Sequence, residues 1–161
     1  VQLSNIAAGL IAADPAHADL YAANASRYSA ELDALDRRAA TQLAPFRGTH
    51  VLAGHSSFLY FARDYGFDMI GLFGLDDGQT VGTLELSRMI DAAKALPGTL
   101  IVTDPQYPAI AGDTVVRETG LPSCVFDSVA GGTLEGPAAM DDYLNRMDAN
   151  LDRLMQALEA R

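Results

Sequence analysis

The sequence predicts an α/β fold: a four-stranded, mainly parallel sheet flanked by helices and preceded by one long helix. Three observations lead there. From residue 48 onward, short apolar runs alternate with amphipathic stretches, the pattern of βα units whose helices cover a parallel sheet. Before residue 48 the apolar positions recur at threes, fours and sevens, which is the helical period. The 161 residues, 49% hydrophobic and 20% charged, have a globular composition and suffice to bury about two thirds of the unfolded surface without a covalent staple.

Residues 1–12 carry apolar side chains at 3, 6, 7, 10 and 11 and read as a first helix. Asp14-Pro15 ends it, with Asp14 as N-cap and Pro15 as first residue of the next helix. That helix runs to about Leu43 on apolar positions 20, 21, 28, 32, 35, 39 and 43, a length of roughly 40 Å at about 1.5 Å per residue. It reads either as a packing helix with a solvated face (Asp33, Asp36, Arg37, Arg38) or as a spine joining two lobes. Beyond Pro45 and Gly48, strands are expected near 50–53, 69–73, 100–103 and 124–126. Helices are expected near 56–65, 83–96, 108–119 and 138–159. Ser56 and Thr83 are the expected N-caps, Gly66 and Gly120 the expected residues just past a helix end, and Leu96-Pro97-Gly98 a stop. The last helix has apolar positions 140, 144, 147, 151, 154, 155 and 158.

The formal charge of −10, from 21 acidic and 11 basic residues with no basic patch, argues against nucleic acid as a partner, since duplex binding needs Lys and Arg on phosphates. No run of 18 apolar residues suggests a spanning helix. Cys124 is the single cysteine, so no internal disulfide forms, and its place in an apolar strand reads as that of a small buried hydrophobe. Val1 opens in what reads as the middle of a helix, with no initiating Met and no signal peptide, so the chain is expected to be trimmed.

In a parallel sheet all strands open their C-terminal ends onto one edge, and function is expected there. His55 follows the first strand, after a small Gly54 where the backbone can turn, and Asp127 ends the fourth. An imidazole and a carboxylate together suit zinc or a similar divalent cation, although two ligands are half of a tetrahedral shell. Asp104 ends the third strand; before Pro105 it reads as a turn opener that orients His55 by accepting its second ring N–H, with direct metal ligation the other option. His17 and His50 read as surface residues. The Gly-rich stretches 74–82 and 130–136 lie after strands and read as lids or connections, since neither matches a phosphate-binding pattern. Gly54-His55-Ser56-Ser57-Phe58 also invites comparison with a hydrolase nucleophile elbow, with Ser56 as nucleophile. Against it, Phe58 stands where that motif has Gly, and no His follows Asp127 to act as base.

Taken together these segments resemble the C-terminal half of the cluster A-I solute-binding proteins, the ZnuA-like and TroA-like zinc and manganese receptors of ABC transporters. Asp14-Pro-Ala16, Tyr21-Ala-Ala-Asn24 and the stretch 28–36 resemble the family's backbone helix between two lobes; His55-Ser-Ser-Phe-Leu-Tyr-Phe61 with Tyr65-Gly66 is similar to its ligand-bearing turn. Thr103-Asp-Pro-Gln-Tyr107 resembles its Glu-Pro-Gln-Phe stretch with Asp for Glu, and Phe126-Asp-Ser-Val129 its last ligand motif. The resemblance implies a linker and backbone-helix region over 1–47, a C-terminal α/β lobe over 48–161, and an N-terminal lobe absent from the chain. It implies His55 and Asp127 as third and fourth metal ligands, with two more histidines from the missing lobe, and no catalytic residues. His at the first of these positions points to Zn²⁺, with Mn²⁺ as the alternative cargo. The implied role is a non-enzymatic periplasmic or membrane-anchored receptor delivering zinc to an ABC permease, with a metallochaperone as a further candidate partner. A manganese-binding or adhesin member of the same family is the neighbouring alternative.

Overall fold

The computed structural model describes residues 2–74, 81–106, 109–131 and 136–160, without the side chains of 109, 110, 137 and 138. The chain divides into two compact units, 1–38 and 39–161. In the first unit, helix α1 spans Gln2–Ala13, and a 3-10 turn over Pro15–His17 leads into helix α2, Ala18–Leu43. Pro15 starts the turn as expected, but Asp14 does not cap it through its side chain. Its carboxylate instead meets His17 Nδ1 at 2.7 Å and accepts from Tyr21 Oη at 3.0 Å. None of the described residues of this unit is buried, and Ile6, Leu10 and Leu20 lie exposed.

The second unit holds a sheet of strands β1 (His50–Ala53), β2 (Asp68–Leu72), β3 (Leu100–Thr103) and β4 (Ser123–Val125), in the order β2-β1-β3-β4 with every pair parallel. The inner strands β1 and β3 are apolar nearly throughout because both of their faces are covered. Alternate residues therefore enter two different cores. Val51, Ala53, Leu100, Val102 and Cys124 point to one face, with Ala39 and Leu43 from the end of α2, Phe58 and Ala62 of α3 (Phe58–Tyr65), and Leu151, Leu154 and Leu158 of α6 (Asp142–Glu159). Leu52 and Ile101 point to the other, with Ala93 of α4 (Thr83–Ala95) and Ala111 and Val115 of α5 (Ala109–Thr119). Each large side chain so buried contributes roughly 1.5–3 kcal/mol relative to exposure. The burial of Ala39 and Leu43 explains why the last turns of α2 belong to the second unit.

Where the structure departs from the sequence reading, local geometry explains it. Strand β2 ends one residue before the expected 73, and β4 spans 123–125, although Phe126 N–H still donates to Thr103 O at 2.8 Å. Helix α3 starts at Phe58 rather than 56, with Ser57 at the cap position and no side-chain cap. Thr83 is the first residue of α4 and not its cap, which is Gly82. Gly66 and Gly120, at φ of 81° and 64°, do take the left-handed conformation expected past a helix end. Residues 136–139 form a 3-10 turn, so α6 begins later than expected. Of the two Gly-rich stretches, 75–80 and 132–135 lie outside the described residues, as do the expected helix start at Pro108 and Tyr107 before it.

Candidate metal centre

The strand order decides where a ligand can sit. From β1 the chain moves through α3 to β2 on one side, and from β3 through α5 to β4 on the other, so the strand order reverses between β1 and β3, and it is beyond the C-terminal ends of strands at such a point that open α/β sheets bind ligands. His55 lies two residues past β1, Asp104 one past β3, and Asp127 two past β4.

Backbone packing positions His55. Gly54 N–H donates to Val102 O at 2.8 Å, which extends the β1–β3 ladder to the edge of the turn. A Cβ on Gly54 would lie 3.2 Å from the Phe73 ring, and one on Gly74 would lie 2.1 Å from Gly54 O. Gly54 thus serves close approach rather than a special turn conformation, since its φ is not positive. The His55 side chain is buried, with 9% of the residue exposed, and Nδ1 accepts from Ser57 N–H at 3.1 Å. In the neutral ring that hydrogen bond leaves the proton on the buried Nε2.

Asp104 does not take the orienting role expected of it: its described bonds run to Ser57 Oγ, which donates to Oδ2 at 3.3 Å, and to Gln106 N–H, which donates to Oδ1 at 3.0 Å. The connection to His55 runs through Ser57. The bond from Gln106 N–H is the turn-opening contact anticipated for Asp before Pro.

Asp127 is held by side chains from elsewhere. Its Oδ1 accepts from Gln106 Nε2 at 2.7 Å and Val129 N–H at 2.8 Å; its Oδ2 faces Arg146 Nη1 at 3.3 Å. Asn150, fully buried on α6, clamps its backbone: Oδ1 accepts from Asp127 N–H at 2.9 Å and Nδ2 donates to Asp127 O at 2.7 Å. Burial works to raise the Asp127 carboxyl, but the Val129 and Gln106 hydrogen bonds and the charges of Arg146 and Arg153 outweigh it and hold the group below its ordinary value. Val129 sits at φ 56°, a conformation that costs a β-branched residue about 1–3 kcal/mol and that the Asp127 bond helps impose. Nearby, burial pushes the Cys124 thiol up to about 12 against the charge of Arg153, which keeps it a neutral core residue.

One chain of contacts joins the two turns, from His55 through Ser57, Asp104 and Gln106 to Asp127. Beneath it, Phe58 and Phe126 meet edge to face at 5.0 Å between ring centroids. Phe58, the residue that breaks the elbow pattern, is therefore a core residue. Among the described residues no group of three or more His, Cys, Asp or Glu stands ready to hold a metal. His50 opens β1, at the end of the strand away from His55, and His17 is exposed in the first unit. The roles of Gln106, Arg146 and Asn150 do not follow from the sequence reading, although Gln106 lies in the stretch Thr103-Asp-Pro-Gln-Tyr107 and Asn150 is a polar residue between apolar positions 147 and 151 of α6.

The family model described as "ZnuA: Zinc-uptake complex component A periplasmic" matches residues 1–157. The chain is 29% identical over 134 residues to the high-affinity zinc uptake system protein ZnuA of Brucella abortus (strain 2308), covering 83% of this chain and 40% of that protein. It is 27% identical over 160 residues to the manganese-binding lipoprotein MntA of Halalkalibacterium halodurans, covering 92% of this chain and 50% of that one. A crystal structure of ZnuA superposes with a TM-score of 0.79 at 26% identity, over 96% of this chain and 56% of the other. The chain thus spans about half the length of these relatives.

Proposed function

The chain belongs to the ZnuA family, the periplasmic A components of zinc-uptake complexes, and from that premise we propose that it forms one lobe of a solute-binding protein that captures Zn²⁺ and delivers it to an ABC permease. The observation that carries this reading is the pairing of an imidazole and an ionised carboxylate at the ends of β1 and β4, joined by one hydrogen-bonded chain. Their chemistry fits a divalent cation, and His55 with Asp127 would make half of a tetrahedral shell. The other half comes from outside this chain, in keeping with its covering 40% of the Brucella protein. Two further histidines from an N-terminal lobe are the proposed source.

Capture needs no bond chemistry, only a different affinity in the closed and open states of the two lobes, which a permease can exploit. Zinc is the proposed cargo because imidazole nitrogen suits it better than manganese, with Mn²⁺ the alternative that the MntA relative keeps in view. The ring must supply a lone pair. Nδ1 now gives its own to Ser57, so ligation through Nε2 moves the proton to Nδ1 and breaks that bond, at a cost of about 1 kcal/mol. Protonation of the ring removes the lone pair, so binding weakens in acid. Work outside the cytoplasm, in the periplasm or anchored to the membrane, accords with the family's periplasmic description, and among the described residues no helix is long and apolar enough to cross a membrane. The hydrolase reading gains no support, because the only described histidine near Ser56 is its neighbour His55 and Ser57 Oγ bonds Asp104. A metallochaperone partner remains part of the proposal.

Calorimetric titration of the whole protein with Zn²⁺ and Mn²⁺, beside a His55→Ala variant, tests the reading. The variant should bind zinc about 100-fold or more weakly. Equal affinity in the two proteins would remove His55 from the site.

A further inference from the structure

Asp127 already has a cation. Arg146 Nη1 lies 3.3 Å from its Oδ2, and the two side chains are 21% and 18% exposed, so the pair is shielded but not sealed. The guanidinium does not depend on Asp127 for its place. Its Nε donates to Asp142 Oδ1 at 3.0 Å, one helical turn earlier on α6, and Nη1 also donates to Gly131 O at 3.1 Å. The carboxylate, in turn, does not depend on Arg146. Oδ1 is fixed by Gln106 Nε2 and Val129 N–H, and the backbone is fixed by Asn150.

The two oxygens of Asp127 thus have separate tasks. Oδ1 is committed to two short bonds that set the orientation of the group. The contact of Oδ2 with Arg146 is longer than the 2.7–2.9 Å usual for a charge-assisted bond. We propose that Arg146 is a resident counter-cation for Asp127 Oδ2 that an incoming divalent metal must displace, and so a residue that sets how tightly the metal is held and how fast it leaves. The inference rests on the reading of Asp127 as a metal ligand.

The sign of the effect follows from the geometry. A metal on Oδ2 must break the Arg146 contact and must also sit beside a positive charge that Asp142 and Gly131 keep in place. Both terms weaken binding, and removing Arg146 relieves both. A positioning role would give the opposite sign, but orientation is supplied by Gln106 and Val129 instead. On release, the same guanidinium closes onto Oδ2, so the departing metal does not leave a partly buried carboxylate without a counter-charge. A receptor that must give up its cargo gains a faster exit from such an arrangement.

The test compares the parent protein, in its full length, with Arg146→Met, which removes the charge at similar length, and Arg146→Gln, which keeps a donor for Gly131 O should the apolar residue disturb α6. Zn²⁺ affinity is measured by competition with a chromogenic chelator, and the off-rate by stopped-flow mixing with excess chelator. Both variants should bind about three- to tenfold more tightly, with a correspondingly slower off-rate, a modest factor because the pair is partly solvated. Weaker or unchanged binding overturns the inference. Asp127→Ala, run in parallel, separates this failure from that of the underlying reading. If it loses zinc while the Arg146 variants fail to tighten, only the counter-cation role falls; if it binds zinc like the parent, the ligand reading falls and the inference with it.

Discussion

The turn after β1 and the turn after β4 each present one candidate ligand, but they hold it by opposite means. His55 is set by close packing of its backbone, through Gly54 and Gly74 and the ladder bond to Val102, and its ring is buried. Asp127 is set by side chains reaching in from Gln106 and Asn150, and its Oδ2 meets the charge of Arg146. The difference shows which half of the centre can be tuned. Packing that admits no extra carbon is rigid, whereas hydrogen bonds and charges can be traded for those of a metal.

Gly74→Ala should do the most damage at the rigid turn. The new Cβ would fall 2.1 Å from Gly54 O, a backbone atom that cannot swing aside, so urea unfolding should show a loss of about 3 kcal/mol. A loss below about 1 kcal/mol would mean that the β1 turn is as adaptable as the β4 turn and that the contrast fails. Asn150→Ala comes next. It strips Asp127 of both backbone partners and leaves a hole in the core, for an expected cost of about 2–3 kcal/mol, read as a drop of about 4–12 °C in thermal midpoint.

The smallest effect sharpens the electrostatic side. Because the Asp127 carboxyl is held below its ordinary value in the folded protein, the unfolded chain binds its proton first. The stabilisation it provides is therefore complete above the ordinary carboxylate range and is lost as pH falls through the lower, folded value. In Asp127→Asn the acid limb of the stability curve should be shallower than in the parent below about pH 4. Parallel limbs in the two proteins would mean that the web around Asp127 contributes nothing to stability.

Much of the scaffold could be read without coordinates. The inner strands came out at 50–53 and 100–103 as expected, since a strand covered on both faces is a continuous apolar run with sharp ends. The edge strands β2 and β4 were displaced by one residue, because at an edge only one side of the ladder fixes the boundary. Helix starts are the less legible part: Ser56 and Thr83 look like caps by residue type, yet the cap positions fall at Ser57 and Gly82. At the candidate centre, the strand-end positions of His55 and Asp127 followed from the βα pattern alone. Asp104 departs from the orienting role expected of it, since it accepts from Ser57, forty-seven residues away in the chain, and not from the His55 ring.

Hydrophobic period and turn residues are local properties written along the chain, and from them follow the alternation of strands and helices, the two inner strands and the edge on which an imidazole and a carboxylate emerge. Which side chains attend those groups is settled by folding in space. Gln106, Arg146 and Asn150 reach Asp127 because the turn after β3 adjoins β4 and α6 packs over that strand, and such meetings depend on distances in space that residue spacing does not encode.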